Sequence, residues 1–210
     1  MISDGLLLHL PLNGSLRDLS KYRNHALIAG TATDLSWDAG PRGFGQAHSK
    51  ISSTSTNYAY AAHRTEYATV VFSLSLWVYL STWVGGDRIL NRAEGGYGFA
   101  LFNYSNTVAL RMWNSNLNYT TVVPTTSWQH LAITVDASNN VLMYLNGRLD
   151  RVTTTGYQNS ATGDFRLFRA DYGGTSATGR ICDLRYHNRI LTPVEIWMLY
   201  NGLAKDKSNV

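Results

Sequence analysis

Residues 127–150 read SWQHLAITVDASNNVLMYLNGRLD, and apolar and polar positions alternate there with a period of two. Leu131, Ile133 and Val135 fall on one side of the first run, and His130, Ala132 and Thr134 on the other. Successive side chains of a strand point to opposite faces, so this pattern predicts sheet. The second run ends at Asn146-Gly147. That dipeptide predicts a type I′ hairpin turn, which needs positive φ at both central positions. Further strands are predicted at 5–12, 26–29, 69–80, 88–92, 98–104, 108–113, 118–123, 151–154, 165–169 and 179–187, separated by glycine and asparagine turns such as Gly85-Gly86, Asn114-Ser115-Asn116 and Gly173-Gly174. Thr192-Pro193-Val194-Glu195 supplies an N-cap, a proline at the first helical position and an acid in the first turn. One short helix is therefore predicted to about Tyr200, covering the open end of a sandwich with Ile196, Leu199 and Tyr200.

Composition sharpens this. A chain of 210 residues, 44% hydrophobic, can bury a core and fits one all-β domain. We place that domain at residues 1–203, with 204–210 as a polar C-terminal tail. Only 15% of residues are charged, so the surface must be built from Ser, Thr, Asn, Gly and Tyr, which suits hydroxyl-rich ligands or close packing against protein. The net charge is +4, but the basic residues are scattered singly, which argues against nucleic acid and leaves an anionic polysaccharide open. Cys182 is the one cysteine, excluding an internal disulfide framework, and reads as a buried structural thiol. No secretory signal and no apolar run of membrane-spanning length is present, so a soluble protein is expected, with the virion surface one place it would fit.

Several blocks, in order, carry a resemblance. They are Leu6 to Leu12 with Asn13-Gly14-Ser15, Asp18-Leu19-Ser20 with Asn24-His25-Ala26, Phe72-Ser73-Leu74-Ser75-Leu76-Trp77-Val78, the hairpin with Trp128 and Asn146-Gly147, and Gly179 to Leu191 followed by Thr192-Pro193-Val194-Glu195-Ile196. Together they resemble a laminin G-like domain of the concanavalin A-like lectin and glucanase superfamily. The resemblance implies an all-β, antiparallel two-sheet jelly-roll β-sandwich with one short C-terminal helix. In such a sandwich Trp77 and Trp128 are core-associated. Residues 46–67, the least regular stretch, become an edge strand carried by Tyr58 and Tyr60, with a long surface loop as the alternative.

The fold does not name the ligand. Glycoside cleavage needs two carboxylates on one face, and no pair of acids has strand spacing here; a degenerate hydrolase relative is thereby disfavoured and no catalysis is expected. The resemblance also implies a rim calcium ion, with Asp18 and Asp183 as ligands, although Cys182 stands where the family pattern has an acid. Alternatively, Asp18 caps the turn over residues 16–22 and Asp183 pairs with Arg185 or Arg189.

Sugar recognition rests on aromatic faces and hydroxyl-binding polar groups, and Trp113, Asn114, Asn116, Tyr119, Arg111 and Tyr97 cluster around one hairpin turn and its neighbouring strand. Those six are the candidate ligand-binding residues; the alternative is that Trp113 and Tyr119 merely cover sheet. Two functions follow. One is an adhesion domain recognising a glycan, cell-surface polysaccharide or particle-surface partner. The other is a bacteriophage virion protein, capsid-decorating or tail-associated, with protein partners or a homo-oligomeric state.

Overall fold

The computed structural model describes residues 2–52, 56–82, 86–92, 98–104, 107–112, 115–156, 162–169 and 176–203. In chain order the strands are β1 (Leu6–Leu10), β2 (Leu27–Ala29), β3 (Leu35–Ala39), β4 (Gln46–Lys50), β5 (Tyr58–Ala61), β6 (Phe72–Leu80), β7 (Arg88–Asn91) and β8 (Phe99–Tyr104). They continue as β9 (Thr107–Met112), β10 (Ser115–Asn118), β11 (Trp128–Val135), β12 (Asn140–Leu145), β13 (Arg148–Thr154), β14 (Phe165–Leu167) and β15 (Gly179–His187), before helix α1 (Pro193–Tyr200). They form two antiparallel sheets. The eight-stranded sheet runs β13-β12-β11-β6-β15-β4-β3, with β1 also on β15; the seven-stranded sheet runs β10-β9-β8-β7-β14-β5-β2.

The sandwich predicted from alternation is present, and Leu131, Ile133 and Val135 face its core. Asn146 and Gly147 have φ of 51° and 75°, as the β12–β13 turn requires. The stretch 46–67 contains two strands, β4 and β5; β4 was hidden because Gln46, His48 and Lys50 look polar. No strand was predicted at β3 either. The strand predicted at 118–123 is instead β10, because Ser115 and Asn116 belong to the strand rather than to the turn.

Between the sheets, Phe72 stacks on Phe99 with ring centres 5.2 Å apart, and Phe165 meets Tyr186 edge-on at 5.0 Å. Arg92 is fully buried with its guanidinium 5.4 Å from the Phe165 ring. Polar side chains join the two sheets at both margins. On one, Lys50 of β4 donates to the carbonyls of Asn57 (2.8 Å) and Phe168 (3.0 Å). On the other, Asp150 of β13 accepts from the Thr120 and Thr121 amides, and Arg151 donates to the Asn118 carbonyl.

Helix α1 does not cover the open end of the sandwich. Ile196 and Leu199 pack on Ala132 and Tyr144, which point away from the core, so the helix lies on the outer face of the eight-stranded sheet. Tyr200 stacks on Trp77 of the same face, ring centres 5.5 Å apart. The helix begins with a capping box, in which Thr192 Oγ1 accepts from the Glu195 amide and Glu195 accepts from the Thr192 amide. Arg189 grips the same carboxylate at 2.6 Å and holds Glu195 down to about 2.

That cover explains a layer of buried polar side chains beneath it. Ser75 meets His130 Nε2 at 2.9 Å, and His187 Nε2 donates to the Ile2 carbonyl at 2.8 Å. Burial pushes both histidines down to about 4. His48 is likewise pushed down to about 4 by burial and by the Lys50 charge. Cys182 is fully buried, and burial with the nearby Asp183 charge pushes its thiol up, which makes it an inert core residue.

Candidate functional site

The outer face of the seven-stranded sheet carries the candidate site. Alternation along β8 and β9 sends Phe99, Leu101, Val108, Leu110 and Met112 inward, leaving Ala100, Phe102, Tyr104, Thr107, Ala109 and Arg111 outward. Cross-strand register then builds one continuous row over all seven strands: Asn116, Arg111, Ala100, Asn91, Arg166, Tyr60 and Leu27. Six interstrand steps of about 4.8 Å make this row roughly 29 Å long. A second row places Asn118, Ala109, Phe102 and Arg88 side by side.

Arg111 and Asn116 are paired across β9 and β10, and both are exposed. Ala100 and Asn91 are buried in the middle of the row, and Arg166 and Tyr60 are half-buried beyond them. Tyr104 is 42% exposed and lies against Phe102 at 5.7 Å, while the Arg88 guanidinium sits 4.6 Å over the Phe102 ring. At the other end, Tyr58 and Tyr60 are 5.9 Å apart and Arg169 lies over Tyr58 at 5.4 Å. The exposed parts of the face thus present a guanidinium, amides and an aromatic edge, whereas Ala100, Phe102, Ala109 and Asn91 between them are buried. These exposed parts can hydrogen-bond hydroxyls and stack on the C–H faces of a sugar.

Of the six residues predicted from sequence, Arg111 and Asn116 come together here. Tyr119 does not: it is 2% exposed, packed in the core, and its hydroxyl donates to the Ala132 carbonyl at 3.2 Å, so it has no free ring face for a ligand. Trp113, Asn114 and Tyr97 lie outside the described residues. The Arg88–Phe102–Tyr104 group was not singled out, although the parity of 100, 102 and 104 with 111 along the β8–β9 hairpin carried the signal. Arg166 and Tyr60 were beyond sequence reach, because their place in the row depends on β14 pairing with both β5 and β7.

The residues proposed for calcium do not fit a hard cation, which needs several free oxygens at once. Asp18 is buried and its two oxygens accept from the His9, Ser20 and Asn24 amides and the Ser20 hydroxyl, at 2.7–2.9 Å. It caps the turn. Asp183 sits on a bulge of β15, φ 49°, with one oxygen 2.8 Å from His9 Nε2 and 3.0 Å from Arg185 Nε. Burial opposes ionisation, but Arg185 and His9 hold this carboxyl well below the usual range. Among the described residues, no group of three His, Cys, Asp or Glu side chains is placed to hold a metal ion. No helix among the described residues is long and apolar enough to cross a membrane.

Comparison with known proteins agrees with the fold. Residues 53–197 match the concanavalin A-like lectin/glucanases superfamily. No curated protein sequence matches the chain. Domain 4 of AbnA, a GH43 extracellular arabinanase from Geobacillus stearothermophilus solved in complex with arabinotriose, superposes with a TM-score of 0.75 at 19% identity, covering 93% of this chain and 98% of that one. The binding domain of Paraclostridial Mosquitocidal Protein 1 gives 0.77 at 14% identity, covering 97% of this chain and 53% of its own. The binding domain of Botulinum Neurotoxin DC in complex with SialylT gives 0.74 at 17% identity, covering 100% and 54%. The chain therefore spans about half the length of these toxin binding domains. With two antiparallel sheets, a capped C-terminal helix and a match over residues 53–197, the chain belongs to the laminin G-like family of the concanavalin A-like lectin/glucanases superfamily.

Proposed function

We propose that this protein is a non-catalytic adhesion domain that recognises a glycan on a cell or particle surface through the outer face of its seven-stranded sheet. The observation that carries the reading is the exposed Arg111–Asn116 pair at the end of a row of polar and aromatic side chains in cross-strand register, with the exposed Tyr104 at the far end of the same β8–β9 hairpin. A shallow, donor-rich face matches a polyhydroxylated chain better than a small apolar ligand, which would need concave burial. The solved relatives support the same direction: the arabinanase domain was captured with arabinotriose and a toxin binding domain with SialylT.

Trp113, Asn114 and Tyr97 are proposed to extend the site, since each neighbours Arg111, Asn116 or the β8 strand in sequence. A protein partner is the second reading, favoured by the botulinum neurotoxin DC binding domain solved in complex with rat synaptotagmin II. Virion assembly belongs under that reading. A glycan array with the purified protein separates the two. Specific binding lost in Arg111→Ala, Asn116→Ala or Trp113→Ala supports the glycan face; silence of the folded protein across the array, with a symmetric oligomer in solution, supports assembly.

A further inference from the structure

The connection between β1 and β2 presents a second polar cleft, separate from the row just described. Arg17, Arg23 and His25 line a cleft of about 540 Å³ together with Asp18, Leu19 and Ser20. Both guanidiniums are exposed, and neither has a partner among the described residues. By contrast, Arg64, Arg166, Arg180, Arg185 and Arg189 are each paired with an acid.

The loop that carries these groups is locked. The Asp18 carboxylate gathers the amides of His9, Ser20 and Asn24, so its charge is satisfied from inside and it faces the cleft with no lone pair seeking a cation. His25 Nδ1 accepts from the Asp18 amide at 3.0 Å, so in the neutral ring Nε2 carries the proton and is a donor. Arg23 is held at φ 49°, a left-handed conformation that a non-glycine residue adopts only when its surroundings fix it. Next to the cleft, Lys21 and Arg64 lie over the Tyr22 ring at 5.0 and 5.3 Å, adding positive charge beside an aromatic face.

We infer that this loop is a subsite for an acidic saccharide, with Arg17, Arg23 and the His25 Nε2–H holding a carboxylate or sulfate substituent. Planar guanidiniums match such groups through paired donors, and a preformed loop loses little freedom on binding. The inference rests on the glycan-binding reading and adds the charge class of the sugar to it. It also gives the net charge of +4 a local use that no Lys/Arg run in the sequence announced.

The test is calorimetric titration of the full chain with trigalacturonate, with a heparin-derived tetrasaccharide, with inorganic sulfate and with the best neutral glycan from the array. The wild type is expected to bind one of the acidic oligosaccharides at least tenfold more tightly than its neutral counterpart, and raised salt should erode that preference. Arg17→Ala with Arg23→Ala should weaken the acidic ligand tenfold or more, leave the neutral one unchanged and leave the melting temperature unchanged. Arg111→Ala should weaken the neutral glycan alone, because five interstrand steps of about 4.8 Å separate Arg111 from β2 and an oligosaccharide of this length in the cleft does not reach it. Equal binding of acidic and neutral glycans, an unaffected double variant, or affinity for free sulfate equal to that for the oligosaccharides overturns the subsite while leaving the outer face standing. Failure to bind any glycan overturns the reading on which it rests.

Discussion

Acidification should unfold this protein well before its carboxylates are protonated. His48, His130 and His187 are each buried and pushed from 6.5 down to about 4. The folded state therefore favours the neutral ring, and the unfolded chain binds more protons between those values. The stabilisation is fully present above pH 6.5 and is lost as the pH falls towards 4. Integrating a shift of that size to about pH 5 gives a loss of about 2 kcal/mol per histidine, or about 6 kcal/mol for three. That is comparable with the whole stability of a typical domain, about 5–15 kcal/mol. Asp183 and Glu195, whose folded values are depressed, lose their contribution only below the unfolded carboxylate range and so leave this window to the histidines. Urea denaturation followed by tryptophan fluorescence at several pH values between about 7.5 and 5 measures the slope. His187→Gln, whose amide can still donate to the Ile2 carbonyl, should reduce that slope by about a third. A midpoint that does not move between pH 7.5 and 5 would refute the reasoning.

The remaining predictions are local. Phe99→Ala removes a ring stacked on Phe72 and packed against Phe165 and should cost about 3–5 kcal/mol, read from chemical denaturation. Gly147→Ala places a methyl 3.1 Å from the Tyr200 ring at a φ of 75° and should cost about 1–2 kcal/mol; a neutral result would mean the hairpin turn is not held against α1. Lys50→Met strips the donor from two carbonyls that join the sheets and should cost about 2–4 kcal/mol in the same assay. Millimolar calcium and chelator should give the same melting temperature, since Asp18 and Asp183 already receive N–H and O–H donors; a clear rise with calcium would contradict that assignment.

The eight-stranded sheet was the more legible half in the sequence. Strands β6, β11, β12 and β15 alternate cleanly because one face packs on the core, and the Asn146-Gly147 turn fixes the register of β12 and β13. Strand β4 escaped because its inward positions, His48 and Lys50, are polar, and the Phe168 carbonyl that helps to hold the buried Lys50 is distant in sequence. The helix was legible from its capping box, but its docking was not: Trp77, Ala132 and Tyr144 form an apolar patch only once three strands lie side by side. The site divided in the same way. Arg111 and Asn116 could be paired from one hairpin, whereas Tyr119 follows β10 and continues its inward parity beside Leu117, which sends the ring into the core. The buried Asp18 hub could not be read as saturated from sequence, because its donors come from residues 9, 20 and 24 and depend on the loop's path.

The measurement that bears most directly on the central claim is a glycan-array comparison of the wild type with Arg111→Ala. Arg111 is exposed on the outer face and lies away from the core, so the variant should fold with an unchanged melting temperature. The account predicts a defined set of bound glycans for the wild type and a loss of at least tenfold in affinity for them in the variant. Undiminished binding by Arg111→Ala, or a folded wild type that binds nothing, would contradict it.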